Sequence, residues 1–205
     1  MDLGAGPAPA AGTAMADILI MIPARMASTR LPGKPLADIA GEPMIVHVMR
    51  RAQAARLGEV VVATDSEVIA ACVEKAGGRA VMTRADHASG SDRIFEALQT
   101  ADPQQRAGII VNVQGDLPTL APSSIAAAIE PLGDPQTDIG TLAAEIRGAD
   151  EDANPNVVKV VGTPIAKSAT LPRNANFLNS SNMAAPFCAS RRAARTHTVT
   201  AQHAR

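Results

Sequence analysis

Short apolar runs alternate with stretches of helical spacing along most of this chain. The first run, from Ile18 to Pro23, is continuous and rich in Ile, the pattern of a strand buried on both faces. It breaks at Pro23 into a loop, and apolar residues return at helical spacing from Met44 to Leu57, with Pro43 suited to the first turn and Gly58 to the stop. Glu59–Asp65 is a second β-branched run. Ser66 is a candidate N-cap for a helix that breaks at Gly77-Gly78. Residues 79–83 and 109–116 predict a third and a fourth strand, with a loop and the helix Arg93–Ala101 between them. A helix that Ser123 or Ser124 could cap follows, then strands over 138–147 and 156–161. This alternation predicts an α/β domain over 17–162, a mostly parallel sheet with helices on both faces.

Two regions fall outside the pattern. Residues 1–16 are Ala, Gly and Pro-rich, lack the marks of a signal peptide, and read as a disordered leader, with Met15 a possible start. Beyond Gly162 neither a period of 2 nor one of 3.6 persists. No Asp or Glu follows Asp152, while seven Lys and Arg do, so 163–205 is expected to be a basic tail without a proper core.

Composition removes several function classes. The 205 residues carry a net charge of −1, with no Trp or Tyr and three Phe. That gives no electrostatic or stacking case for nucleic acid, and none for an anionic membrane surface. No run of 18 apolar residues suggests a transmembrane helix. Cys72 and Cys188 offer neither a disulfide framework nor metal-ligand spacing, which fits a cytoplasmic protein.

Four loops would share the carboxyl edge of the sheet, where open α/β folds bind ligands. The first gathers Arg25, Arg30 and Lys34 among small residues and suits a polyanion, most simply a triphosphate. It is not a Walker A, because Pro35 follows Gly33-Lys34, and no G-x-G-x-x-G turn is present. In the second, Asp65 suits a ribose hydroxyl or, more often, a helix N-cap. The third, Thr83–Arg93, has the donors and acceptors to read a base edge, or is a self-capped loop in which Ser91 or Asp92 starts the next helix. Its His87, like His47 on the first helix, is read as structural or exposed. In the fourth, Asp116 follows a buried strand and suits Mg²⁺ against substrate phosphates, with Gly115 allowing close backbone approach.

Taken together, PAR-x-x-S-x-R-L-P-x-K-P-L, ATD, TRADH-x-SG-x-DR, VNVQGD and NPNVVKVV resemble the 3-deoxy-manno-octulosonate cytidylyltransferase (CMP-Kdo synthetase) family from about Ala16 to Gly162. The resemblance implies a Rossmann-like nucleotide-diphospho-sugar transferase fold and a cytoplasmic enzyme of lipopolysaccharide synthesis that couples CTP to Kdo. It implies that Arg25 and Lys34 hold the triphosphate with Ser28 and Arg30 supporting the loop, that Ala24 belongs to the substrate site, that Arg84, Ser89 and Gly90 surround the cytidine, and that Gln114 lies near base or sugar. Asp116 would bind Mg²⁺, and Arg25, Lys34 and Asp116 would carry catalysis. Members are usually homodimers.

The chain departs from the family in two places. Leu117 stands where the family usually shows Glu. After Gly162 the expected aromatic-rich segment and late metal-binding aspartate are not recognisable, leaving a frameshifted or divergent, truncated C-terminus. The alternative function is therefore an inactive, CTP-binding remnant.

Overall fold

The computed structural model describes residues 17–27, 33–145, 150, 153–154, 159–160 and 194–203. Its centre is β1 (Asp17–Ala24), and the alternation of side chains along a strand explains why β1 had to be apolar throughout. Ile20 and Ile22 enter one core, while Leu19 and Met21 enter another on the opposite face. All four are at most 4% exposed, so neither face of this strand meets water.

A short hairpin follows β1, made of β2 (Asp38–Ile39) and β3 (Glu42–Pro43). Ala40 and Gly41 both adopt positive φ at its turn, as a tight two-residue hairpin requires. His47, on α1 (Met44–Ala54), bonds through Nε2 to the Ile39 carbonyl at 2.8 Å. That histidine braces the hairpin. Pro43 thus ends a strand just before the helix rather than occupying its first turn, and the helix stops at Ala54, short of Gly58.

The chain then runs through β4 (Glu59–Thr64), α2 (Glu67–Lys75), β5 (Arg79–Met82), α3 (Gly90–Ala101), β6 (Ala107–Val113), α4 (Pro122–Ile129) and β7 (Ile139–Glu145). Ser66 caps α2 by accepting from the Ile69 N–H, as its sequence predicts. Neither Ser123 nor Ser124 caps α4; Ala121 holds that position, and Pro122 starts the helix because a first-turn residue needs no N–H partner.

The strand order is β5-β4-β1-β6-β9-β7, with β8 (Lys159–Val160) also pairing β9 (Ala194–His203). The strands from β5 to β6 are parallel, and β9 runs antiparallel to both β6 and β7. From β1 the chain builds outward to β4 and β5, then returns to place β6 on the other side of β1. The reversal puts α3 on the opposite face from α1 and α2, as right-handed crossovers demand. It also opens a crevice between β1 and β6 at their carboxyl ends, the switch point where such sheets take ligands.

Strand β9 corrects the expectation that everything after Gly162 lacks a core. Residues 194–203 lie inside the sheet, and Val199 and Ala201 are fully buried with α4 against the β1 core. The physical reason lies in the Val-Thr-Ala-Gln alternation of 199–202, which presents small apolar residues to one face and polar ones to the other. The sheet therefore includes a strand from beyond Gly162. The leader over 1–16 and most of the tail lie outside the described residues. Among the described residues, no helix is long and apolar enough to cross a membrane.

Candidate functional site

Three of the four loops converge on Pro23, near the carboxyl end of β1. A Cβ built on Gly115 would lie 2.7 Å from the Pro23 carbonyl oxygen, and one on Gly90 would lie 3.3 Å from the Pro23 ring. The loops after β6 and β5 therefore press against the strand that launches the cationic loop. Glycine at 115 is a steric requirement, since the obstructing atom is backbone and cannot swing aside. Gly115→Ala is expected to cost about 1–3 kcal/mol, as overpacking does. A urea unfolding midpoint measures it; an unchanged midpoint would refute the close approach.

The cationic loop closes through the Gly33 N–H donating to the Met26 carbonyl at 3.2 Å. Gly33 adopts φ +71°, which turns the chain into a single 3₁₀ turn over Lys34–Leu36 anchored by buried Pro35. Lys34 is thereby aimed across the crevice, and its Nζ donates to Asp116 Oδ2 at 2.7 Å. Both side chains remain substantially exposed, 38% and 49%. The contact is thus a water-facing pair, able to exchange either partner for a ligand. Ala24 is buried as the last residue of β1, and Arg25 follows it, exposed. Ser28 and Arg30 lie outside the described residues.

The loop after β5 is both self-capped and braced. Ser89, rather than Ser91 or Asp92, is the N-cap of α3, and it forms a reciprocal capping box with Asp92. Gly90 begins the helix. Arg84 is exposed, and its Nε donates to Asp86 Oδ1 at 3.0 Å. Its backbone N–H donates to the Glu96 carboxylate, which also binds His87 Nε2. The His87 bond holds the Glu96 carboxyl below its ordinary range, against the raising effect of burial. Asp65 neither caps α2 nor stands free for a ribose. It accepts from Arg93 Nη2 at 2.9 Å, while Arg93 Nη1 donates to the Thr83 hydroxyl. Gln114 is half-buried and donates to Asn112 Oδ1 at 3.2 Å.

The sequence reading missed Arg93 and Glu96. A signal existed for the first: Arg93 sits four residues before Ala97 on the apolar stripe of α3, a position that needs a buried partner. Beside α3 the sheet face is open over β6, β9 and β7. A groove of roughly 490 Å³ lies there, with Asn112, Gln114, Thr200 and Gln202 supplying amides and a hydroxyl and Phe95 and Ile139 supplying apolar wall. A second hollow, about 330 Å³, lies at the opposite, amino end of the strands around Gly58 and Asp102.

As chemistry, the carboxyl edge offers a lysine and an arginine for an anion, a carboxylate at the strand end, and a preformed polar loop beside them. No group of three or more metal-ligating side chains occurs among the described residues.

Comparison with known proteins agrees with this geometry. A cytidylyltransferase family model matches residues 19–204. The chain is 64% identical over 148 residues to 3-deoxy-manno-octulosonate cytidylyltransferase of Rhodopseudomonas palustris, covering 72% of this chain and 60% of the relative. The Afipia carboxidovorans protein of that name is 63% identical over 151 residues, 74% and 61% of the two chains. The chain thus spans about 60% of the length of the curated relatives it matches. Among solved structures, CMP:2-keto-3-deoxy-manno-octonic acid synthetase complexed with CTP superposes with a TM-score of 0.72 at 36% identity, over 91% of this chain and 74% of that one. A 4-diphosphocytidyl-2C-methyl-D-erythritol synthase from Anaerococcus prevotii, 14% identical with a TM-score of 0.55 over 91% and 71% of the chains, shares the fold. By the match over 19–204 and the likeness of its sheet and loops, the chain belongs to the cytidylyltransferase family.

Proposed function

We propose that this chain binds CTP in the β1/β6 crevice and transfers its cytidylyl group to Kdo, releasing pyrophosphate and forming CMP-Kdo in the cytoplasm. The observation that carries the reading is Lys34 meeting Asp116 at 2.7 Å at the switch point of the sheet. A cation and a carboxylate from loops 82 residues apart have no stability reason to be paired in the open. They do have a reason to share a nucleotide's phosphates and its metal.

In this reading Arg25 and Lys34 hold the triphosphate, Arg25 with its fork and Lys34 as a point charge. Ser28 and Arg30, within the same loop, support it. Arg84 and the Ser89–Gly90 turn face the cytidine. Gln114 lies between the nucleotide and the adjoining groove, where its amides and hydroxyl suit a polyhydroxylated acid sugar. The anomeric hydroxyl oxygen of the sugar attacks the α-phosphorus in line and gives up its proton to water. The bond from that phosphorus to the bridging oxygen breaks, and pyrophosphate leaves. Positioning and charge neutralisation supply the catalysis, with no covalent intermediate on the protein.

Asp116 fits a magnesium ion brought in with the nucleotide. It is an exposed, strand-end carboxylate beside a glycine, and Mg²⁺ usually takes one or two carboxylates with waters and phosphate oxygens completing its shell. When bound, the ion would offset phosphate charge. Lys34 would then leave Asp116 for the phosphates.

One observation favours the rival reading of nucleotide binding without turnover: Asp116 belongs to no group of three or more metal-ligating side chains among the described residues. A pyrophosphate-release assay with CTP, Mg²⁺ and Kdo separates the two. Release that depends on Kdo supports the transferase; saturable CTP binding with no release supports the binding-only chain.

A further inference from the structure

The loop between β5 and α3 has no strand or helix of its own, so its backbone takes its geometry from side chains. Three of these come from the start of α3. Asp92 accepts from the Ser89 N–H at 3.0 Å and from its hydroxyl at 2.7 Å. Arg93 reaches the Thr83 hydroxyl. Glu96 accepts the Arg84 N–H, 3.3 and 3.2 Å from its two oxygens, and binds His87 Nε2.

Glu96 therefore touches the loop at two places, three residues apart, and fixes the stretch between them. This matters for Arg84. Its side chain is 68% exposed, and the Asp86 carboxylate it meets is 73% exposed, so that surface pair does little to aim it. The direction in which Arg84 leaves the chain is set at its backbone, where Glu96 holds it. The His87 bond favours the ionised form of Glu96, and an ionised acceptor makes the stronger hydrogen bond. His87, 10% exposed and committed to Glu96, serves as a brace.

We propose that Glu96 is a positioning residue for base recognition: through the Arg84 backbone and His87 it sets the loop that distinguishes cytosine, and it leaves the grip on the phosphates untouched. The inference rests on the reading of this loop as the cytidine side of a CTP site. The two are separable, because inorganic pyrophosphate probes the cationic loop alone and UTP differs from CTP at the base edge.

The test is calorimetric titration of the full chain and its Glu96→Ala and Glu96→Gln variants with CTP, UTP and pyrophosphate. Glu96→Ala should weaken CTP about tenfold, the scale of a lost charged hydrogen bond, and narrow the preference for CTP over UTP. Pyrophosphate affinity should stay within about twofold, since the cationic loop is a separate contact. Glu96→Gln keeps a carbonyl acceptor for the Arg84 N–H and should recover part of the loss. Unchanged CTP affinity in Glu96→Ala would overturn the inference, as would an equal loss of CTP and pyrophosphate in both variants. A wild-type chain that binds pyrophosphate but shows no preference for CTP over UTP would sink the cytidine reading itself, and this inference with it.

Discussion

Val199→Asp should lower the stability of this chain by roughly 3–5 kcal/mol, or prevent folding altogether, because it places an unpaired charge in a dry interior. Val199 is fully buried, pairs with Val113 across β6 and belongs to the same core as Ile20 and Ile22. Since whole domains are stable by about 5–15 kcal/mol, such a loss is close to decisive. The control lies on the same strand. Gln202 is exposed on the opposite face, so Gln202→Asp should shift a urea midpoint by little, within about 0.5 kcal/mol. Equal tolerance of both substitutions would mean that residues 194–203 are not a central strand.

The second large effect concerns the ion pair beneath the base-side loop. Arg93→Ala should cost about 3–5 kcal/mol, because it strands Asp65 without its partner. The side chains are only 3% and 10% exposed, so water cannot replace the lost guanidinium. The melting temperature should fall by roughly 10 °C. Removing the second charge as well tests the mechanism. Asp65→Asn added to Arg93→Ala should recover part of the loss, since the uncompensated carboxylate is then gone. Strict additivity of the two changes would show that they do not interact.

These two sites also mark the limits of what sequence alone displays. The parallel half of the sheet was legible because its inner strands β1 and β4 are buried on both faces, leaving continuous runs such as Ile18–Pro23 and Val60–Ala63. Ser66 was legible as a cap because its role is local. Strand β9 was not, because its buried Val199 and Ala201 are small and separated by a threonine, and its partners β6 and β7 are remote in sequence. The Arg93–Asp65 pair spans 28 residues and was hidden for the same reason. Asp65 looked like a ribose ligand or a cap, and only the tertiary structure shows an arginine already bound to it.

The site divides along the same line. The charges of the cationic loop and Asp116 stood out by type and position, and the fold brings Lys34 and Asp116 together. What holds the neighbouring loop in place, Glu96 and His87, depends on a helix side chain reaching back across a turn, which no short motif displays. Gly115 was read as permitting close approach, and the Pro23 carbonyl shows what it approaches.

The central claim is that the crevice between β1 and β6 is a CTP site whose phosphate end is built by Lys34 and its neighbours. Calorimetric titration of CTP with Mg²⁺ into the wild-type chain and into Lys34→Ala tests it most directly. Saturable binding of one CTP per chain is expected, weakened at least about tenfold by Lys34→Ala, as for loss of a charge-assisted contact. A wild-type chain that takes up no CTP, or a Lys34→Ala chain that binds it equally well, would contradict it.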